Sequence, residues 1–311
     1  MQVPGGSAMR RWIIGTAGVL AMIAVVAVYW LFYDNRLPTS GSFPIDLAAI
    51  RAEAARMPGG GPVRIETETL SHVRVPKIAM VAGSDWSKID VARMSHRLVF
   101  PDRSIVIDTA FDQAASRASN DDSYDPAAWR RLVRAMDEAG AIVITHEHGD
   151  HLGGLLASPH LRAILPKALL NPEQFAISPY IKPLRWPPGV RAGYKPFRYH
   201  GVRAIAPGVV LIRAPGHTPG SQMIYVRRAD GREFLFTGDA ASMADNVRLQ
   251  RIRSRLVTDF FTHENRRAVI LQTIALHRLT AEHPQLVLVP GHDGAAIAAL
   301  QHAGLLVQSF H

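Results

Sequence analysis

The sequence predicts an α/β fold preceded by a single N-terminal transmembrane helix. The chain has 311 residues, 48% of them hydrophobic, which is enough for one large globular domain or two moderate ones. An uncharged stretch occupies residues 12–33, and several short apolar segments further along end in histidine or aspartate. Such segments are typical of buried strands, and a predicted helix follows the first of them, as in α/β proteins.

The N-terminal stretch is long enough to cross a bilayer. Residues 12–33 carry no charge, and aromatic residues lie at both ends, where a membrane has its interfaces. Arg10 and Arg11 precede the stretch, so the positive-inside rule places residues 1–11 in the cytoplasm as a short N-terminus. We therefore expect a single-pass anchor in the plasma (inner) membrane, with the remaining chain on the extracytoplasmic side.

Two other interpretations of this stretch remain open at the level of sequence. It could be a buried core helix, or a signal peptide whose cleavage releases a secreted protein. The length of the apolar run and its bulky aromatic end, which lacks a small-residue cleavage site, favour the anchor.

The segment that follows has the composition of a linker. Residues 34–62 include several prolines, serines and glycines, and we expect a tether interrupted by a short helix over residues 47–56. The main domain is then predicted to cover residues 63–311.

Composition excludes several classes of function. The chain has no cysteine, so thiolate metal sites, cysteine nucleophiles and disulfides are ruled out. The formal net charge is +9, but only five of the 35 basic residues are lysine, and the arginines are scattered singly or in pairs. This pattern argues against nucleic acid as a partner.

The densest chemical signal is the segment AIVITHEHGDHLGGLL, residues 141–156. A buried strand over residues 142–145 is predicted to lead into a loop that carries His146, His148, Asp150 and His151. Alternate residues of an extended segment point the same way, so the first two histidines can hold one ion. Gly149 then lets the chain turn, so that the next acid and histidine can face a second position. A polar loop that is merely rich in histidine is the alternative, but the pattern arises by chance roughly 0.0015 times per chain of this composition.

Three later segments share one pattern, in which an apolar strand is followed by a glycine and then by a residue that can bind a metal ion. They are VVLIRAPGH, EFLFTGD and LVLVPGH, and they end at His217, Asp239 and His292. Imidazole nitrogens and carboxylates are the ligands that zinc binds when cysteine is absent. The three segments together with the first cluster therefore predict a metal centre.

These residues resemble the dinuclear metallo-β-lactamase-fold hydrolases, over residues 63–310. The resemblance implies an αββα four-layer sandwich of two mixed sheets, with helices outside and the metals at one sheet edge. It also implies two divalent metal sites that share a ligand: His146, His148 and His217 at the first, Asp150, His151 and His292 at the second, and Asp239 bridging both. Zinc is the expected ion, and iron or manganese would tolerate the same ligands.

Departures from the family pattern narrow the choice within it. The antibiotic-hydrolysing branch that needs a cysteine ligand is excluded. With a bridging aspartate, the ligand set is more similar to that of lactonases, glyoxalase-II-type thioesterases, phosphodiesterases and related hydrolases. The segment ENRRAVILQTIALHRLTAEHPQLVLVPGHD near the end of the sequence resembles lactonase-type members.

The resemblance implies a membrane-anchored hydrolase that uses a metal-bridging hydroxide on an ester, lactone or related acyl substrate. Asp150 is then the candidate catalytic residue, orienting the nucleophile and passing a proton to the leaving group. The alternatives are a phosphodiesterase or nuclease of the same fold, and a non-catalytic metal-binding sensor. The expected partners are a small-molecule substrate and the membrane, and the sequence does not define an oligomeric state.

Three further features allow two interpretations each. Residues 171–199 are rich in proline and aromatic residues, and they either form a lid that contacts substrate or pack over the domain. Asp108 is expected to be a structural residue or to support a metal ligand. Asp293 either orients His292 or caps a turn.

Overall fold

The computed structural model describes residues 6–177, 179–181 and 184–311. The strands are β1 (Arg64–Pro76), β2 (Lys88–Val99), β3 (Ser104–Ile107), β4 (Ser123–Tyr124), β5 (Ala141–Val143), β6 (Val202–Ala206), β7 (Val209–Arg213), β8 (Gln222–Arg227), β9 (Glu233–Gly238), β10 (Val287–Pro290) and β11 (Val307–Gln308). The α-helices are α1 (Gly6–Val28), α2 (Leu47–Ala54), α3 (Lys77–Met80), α4 (Gln113–Ala118), α5 (Pro126–Glu138), α6 (Gly149–Ala157), α7 (Leu161–Ile164), α8 (Ala244–Leu249), α9 (Arg255–Phe260), α10 (Arg266–Glu282) and α11 (Gly294–His302).

The strands form two mixed sheets. In the first sheet the order is β11-β1-β2-β3-β5, with β4 paired to β1. In the second the order is β10-β9-β8-β7-β6. The pairs β3–β5 and β9–β10 are parallel, whereas the pairs β6–β7, β7–β8 and β8–β9 are antiparallel. His146, Asp239 and His292 follow the carboxyl ends of β5, β9 and β10, and His217 follows that of β7.

The burial pattern of β7 shows that both faces of the second sheet are covered. Val209 and Leu211 face the first sheet and pack in a core with residues of β2 and β3. Val210 and Ile212 point the other way and pack against α2, α8 and α10. A strand covered on both faces is apolar at every position, as this one is up to its last residue.

A third core lies on the outer face of the first sheet. There α5, α6 and α7 pack over β1, β3 and β5. The layers therefore run helix, sheet, sheet, helix, which confirms the predicted αββα sandwich.

The N-terminal helix stands apart from these layers. α1 continues as a π-helical turn, Tyr29–Tyr33, and the apolar stretch Met9–Tyr33 is long enough to cross a membrane, with none of its most apolar part buried in the protein. At the end of this stretch the π-helical turn packs on α3 and α9.

The segment predicted to be a tether is instead part of the domain. Leu47, Ile50 and Ala54 are buried against the second sheet, so α2 belongs to the outer helical layer. Asp34, directly after the apolar stretch, is also buried and accepts a hydrogen bond from Nε of Arg255 at 2.7 Å. The composition of residues 34–62 is typical of a linker, but the spacing of the buried residues is that of an amphipathic helix. The predicted helix over residues 47–56 ends two residues earlier, at Ala54.

Candidate metal centre

The predicted ligands converge at one edge of the sandwich. His146 and His148 lie in the loop after β5, and His217 lies in the turn between β7 and β8. Asp239 follows β9 directly, and His292 follows β10. The other two predicted ligands, Asp150 and His151, are in the first turn of α6 and not in the loop that the sequence suggested, because α6 already begins at Gly149.

Three histidines and Asp239 form the first group. Nε2 of His146 lies 3.0 Å from Nδ1 of His148, and Nε2 of His217 lies 2.8 Å from the same Nδ1 atom. Potential ligand atoms of these histidines and of Asp239 all lie within 4.8 Å of one another. The arrangement is one in which a single ion can be held by several ring nitrogens.

Asp150, His151 and His292 form the second group. Nε2 of His151 lies 3.2 Å from Nε2 of His292, and Oδ2 of Asp150 lies 3.5 Å from the latter nitrogen. These three residues also offer ligand atoms within 4.8 Å of one another.

The carboxylate of Asp239 lies between the two groups. Its Oδ2 atom is 3.3 Å from Nε2 of His217, and its Oδ1 atom is 3.1 Å from Nε2 of His292. Gly291 allows this close approach of β9 and β10, because a Cβ atom there would lie 2.5 Å from Oδ1 of Asp239. The geometry is that of a residue shared by two adjacent sites.

Hydrogen bonds on the far side of three rings fix their orientation. Nδ1 of His151 lies 2.8 Å from Oδ2 of Asp108, Nδ1 of His217 lies 2.7 Å from Oε2 of Glu264, and Nδ1 of His292 lies 2.7 Å from the carbonyl oxygen of Ala92. These contacts at Nδ1 orient the three rings so that Nε2 faces the centre of the site.

Asp108 and Asp293 have the supporting roles that the sequence left open. Asp108 has a φ of 56° and also accepts hydrogen bonds from the backbone and hydroxyl of Thr145, so it joins the end of β5 to His151. Asp293 caps α11 by accepting from the backbone of Ala296 and does not touch the ring of His292 with a hydrogen bond.

The residues present fit divalent cations. Oδ1 of Asp239 is buried and has no aligned hydrogen-bond donor among the described residues, which is expensive unless a cation compensates it. Burial lowers the pKa of His146 and of His217 well below the ordinary value, and that of His148 to about 4. These rings are therefore neutral at physiological pH, as ligand nitrogens must be.

The second group has a different electrostatic balance. Burial alone would lower the pKa of His151, but the carboxylates of Asp108 and Asp150 raise it to about 9. Burial would raise the pKa of Asp150, but Arg93, whose Nη1 lies 2.9 Å from Oδ2, is the main group that holds it below its ordinary value.

Two buried residues of the site were not predicted from the sequence. Arg253, only 5% exposed, donates from Nη1 to Oδ2 of Asp239 at 2.8 Å and from Nη2 to Oε2 of Glu264 at 2.9 Å. Burial alone would lower the pKa of Arg253, but the Glu264 and Asp239 carboxylates raise it, so the guanidinium stays charged. Neither residue follows a strand or has a metal-type spacing, so no sequence signal marked them.

A cavity of about 410 Å³ opens onto the site. Its floor includes polar groups from both ligand groups, together with Arg93 and Arg253. Apolar side chains line much of the rest: Val73, Val75, Met80, Val91, Phe111, Val257 and Phe261. Tyr180 also lines the cavity, and its ring centroid lies 5.4 Å from that of His148.

Most aromatic residues of the segment 171–199 pack on the domain. Phe175 is buried in the outer core of the first sheet, and Trp186 and Tyr194 pack against that core. Phe197 and Tyr199 pack against the core between the sheets. Among the described residues of this segment, Tyr180 lines the cavity, whereas Lys182 and Pro183 lie outside the described residues. Packing therefore explains five of the aromatic side chains.

Comparison with known proteins agrees with this architecture. Two N-acyl homoserine lactonases are similar in sequence, one from a Bacillus species (31% identity over 105 residues, 34% of this chain and 40% of the relative) and one from Bacillus thuringiensis (29% over 121 residues, 38% and 44%). This chain thus matches less than half the length of these curated relatives.

Solved structures share the fold. An N-acyl homoserine lactone hydrolase, solved with the product N-hexanoyl-L-homoserine at its catalytic metal centre, superposes with a TM-score of 0.58 at 16% identity over 77% of this chain and 96% of that chain. A probable metal-dependent hydrolase from Staphylococcus aureus gives 0.57 at 15% identity over 76% and 91%. The profile of the metallo-beta-lactamase superfamily matches residues 96–292, more than half of the chain. The chain belongs to the metallo-beta-lactamase superfamily of metal-dependent hydrolases.

Proposed function

We propose that this protein is a membrane-anchored, dinuclear metal-dependent hydrolase acting on an ester, a lactone or a related acyl substrate. The observation that carries the proposal is the position of Asp239, whose two carboxylate oxygens face different groups of ligand atoms. Seven candidate ligands, one of which is this shared carboxylate, are more than a single tetrahedral ion can use.

The assignment of ligands follows the two groups. His146, His148 and His217 would hold one ion, Asp150, His151 and His292 the other, and Asp239 would bridge them. Zinc suits this set of nitrogen and oxygen ligands, and iron or manganese would also be accepted.

Divalent ions bound there would supply Lewis acidity toward an acyl oxygen and lower the pKa of a water molecule shared between them. We assign Asp150 to orient that water and to take part in proton transfer to the leaving group. Its pairing with Arg93 keeps the carboxylate ionised, so it can accept a hydrogen bond at the start of the reaction.

The cavity supports an acyl substrate. Its apolar walls can bury a hydrocarbon chain while the polar floor receives the group to be hydrolysed. Because relatives named N-acyl homoserine lactonases match part of this chain, an N-acyl lactone is the first compound to test.

We assign residues 12–33 as the anchor, with the catalytic domain of a single-pass protein on the extracytoplasmic side of the plasma (inner) membrane. The stretch is uncharged and its most apolar part is not buried in the protein, and Arg10 and Arg11 precede it. Topology reporters fused at the C-terminus test this orientation, and a reporter active only in the cytoplasm would reverse it. Sequencing the mature N-terminus distinguishes the anchor from a cleaved signal peptide.

The reaction is tested with the full-length protein in detergent, loaded with zinc and assayed on an N-acyl lactone, a thioester, a β-lactam and a phosphodiester. We expect hydrolysis of the lactone or another acyl substrate, lost on chelation and restored by zinc. Hydrolysis of the phosphodiester alone would contradict acyl specificity. Full metal loading without any hydrolysis would contradict an enzymatic role and favour a metal-binding sensor.

A further inference from the structure

We propose that the cavity opens at the membrane surface, and that the substrate is an acyl-bearing amphiphile that enters the site from the bilayer. This inference rests on the membrane-anchored hydrolase proposed above. It is carried by the position of three features: the end of the apolar helix, a group of exposed aromatic side chains, and the rim of the cavity.

The end of the apolar helix is packed against aromatic residues of the domain. The ring of Phe32 lies 4.9 Å from that of Trp86, and the ring of Trp30 lies 6.4 Å from that of Phe260, measured between centroids. The guanidinium of Arg255 lies 5.2 Å from the centroid of Trp30. The domain residues that touch the helix therefore come from the turn after α3 and from α9.

Hydrogen bonds fix this contact. The backbone N–H of Gly83 donates to the carbonyl of Phe32 at 2.8 Å, and Arg255 donates to the buried carboxylate of Asp34 at 2.7 Å. The side chain of Asn35 donates to the carbonyl of Gln250 at 2.9 Å. The domain is thus held in one orientation relative to the end of the helix.

Three aromatic side chains beside this contact are exposed, and we name them the aromatic rim. Trp86 is 53% exposed, Phe260 56% and Phe261 72%. Large apolar side chains grouped at a surface mark an interaction site, and aromatic rings are enriched where a membrane meets water. Because Trp86 and Phe260 touch Phe32 and Trp30, they lie at the depth at which the apolar helix leaves the bilayer.

The aromatic rim borders the cavity through one of its members, Phe261. Phe261 lines the cavity while most of its surface is exposed, and Val257 of α9 and Met80 of α3 lie on the same wall. The helices that hold the end of the anchor therefore also form the cavity wall. An acyl chain leaving the bilayer at this point would meet Phe261, Val257 and Met80 on the wall of the cavity that also contains the candidate metal ligands.

The experiment uses the absence of cysteine from the chain. Phe260→Cys and Phe261→Cys introduce single thiols into the full-length protein, which is labelled with bimane and reconstituted in phosphatidylcholine vesicles. Met57→Cys is the matched control, because Met57 is an exposed apolar residue that does not line this cavity. Quenching by brominated lipid is compared with quenching by aqueous iodide. We expect labels at 260 and 261 to be quenched at least threefold more by brominated lipid than the label at 57.

Labels at 260 and 261 that are reached only by iodide, or a chain that does not associate with vesicles, would overturn the inference. This readout does not depend on catalysis. Lipid-accessible labels in a protein that hydrolyses no acyl compound would therefore refute the proposed reaction and leave the membrane-facing rim in place.

A kinetic comparison tests the route of the substrate. Phe260→Ser is expected to lower kcat/KM about tenfold for a long-chain substrate presented in vesicles. Because Phe260 does not line the cavity, kcat/KM for a short-chain soluble analogue should change less than twofold. Met57→Ser should change neither value. Equal losses on both substrates in Phe260→Ser would overturn entry from the bilayer.

Discussion

The guanidinium of Arg253 donates from Nη1 to Oδ2 of Asp239 across 2.8 Å, so the residue that faces both groups of ligands has its own buried positive partner. The same guanidinium reaches Glu264, which accepts from His217. A network of charged groups therefore supports the proposed bridging carboxylate from the side opposite the histidines of the second group.

Replacing Arg253 should destabilise the fold. Arg253→Met leaves two buried carboxylates without their cation, and removal of one partner of a buried pair costs about 3–5 kcal/mol. Arg248→Met is the control, because Arg248 is 66% exposed in its pair with Asp245 and should cost less than about 1 kcal/mol. Denaturant unfolding in detergent measures both, and equal stability of the two variants would contradict this role. Adding Glu264→Leu to Arg253→Met should cost less than the sum of the single changes.

Metal content should respond differently at two ligands. We expect two ions per chain in the wild-type protein, one in His292→Ala, and fewer than one in Asp239→Ala, because only the second of these replacements removes a ligand from both groups. Elemental analysis after dialysis against zinc gives the stoichiometry. His160→Ala, which changes an exposed histidine paired with Asp137, should retain two. A wild-type value that stays at or below one would refute the dinuclear site.

Asp150→Asn should lower the rate of hydrolysis by a larger factor than it lowers the metal content. The amide retains an oxygen ligand but cannot accept a proton, so we expect kcat to fall at least about 100-fold, in the range typical of a lost general base. Single-turnover rates with metal content measured on the same sample make this comparison. A loss of activity that follows the loss of metal in proportion would assign Asp150 to ligation alone.

Two tyrosines of the segment 171–199 should have opposite effects when their hydroxyl groups are removed. The hydroxyl of Tyr194 accepts from the backbone of Leu170 and donates to the carbonyl of Ala168, so Tyr194→Phe should cost about 1–3 kcal/mol of stability and leave kcat/KM unchanged. Tyr180 lines the cavity, and burial raises its pKa, which keeps the hydroxyl protonated as a donor to developing negative charge. Tyr180→Phe should therefore lower kcat about tenfold or more.

The reverse pattern for these two variants would show that Tyr194 contacts the substrate. Loss of stability alone in both would leave the segment 171–199 with a purely structural role.

His96 should make the protein sensitive to mild acid. Burial lowers its pKa from the ordinary value of 6.5 to about 4. As the pH falls, the unfolded chain therefore binds a proton first, and this contribution to stability is complete above pH 6.5 and decreases toward pH 4. We expect a loss of about 2 kcal/mol between pH 7 and pH 5 from this residue. In His96→Gln the decrease in unfolding free energy over that range should be smaller by this amount, and an unchanged pH dependence would contradict the assignment.

The convergence of the candidate ligands could be predicted from the sequence because most of them follow a strand. Residues such as His217 and His292 are marked by a local pattern of apolar residues, glycine and ligand, and the carboxyl ends of neighbouring strands meet at one edge. Arg253 and Glu264 come from a loop and from the residues before α10, and they reach the site only through the packing of distant segments. No local sequence pattern predicts such long-range contacts.

The prediction of a tether over residues 34–62, within which α2 packs on the domain, has an equally physical cause. Proline, glycine and serine around α2 are typical of a linker, and this average composition concealed the spacing of Leu47, Ile50 and Ala54. Positions three and four residues apart share one helix face, and here that face covers the second sheet. The pattern of buried residues, more than composition, decides whether such a segment folds onto the domain.

The ion pair between Arg255 and the buried Asp34 fixes the end of the apolar helix to the domain. With the helix in a bilayer, the domain would keep one orientation relative to the membrane surface. It would move only by the lateral diffusion of the whole chain. The frequency with which the site meets a membrane-dissolved substrate would then be set by the surface density of that substrate. Dilution of the cell suspension would leave this frequency unchanged.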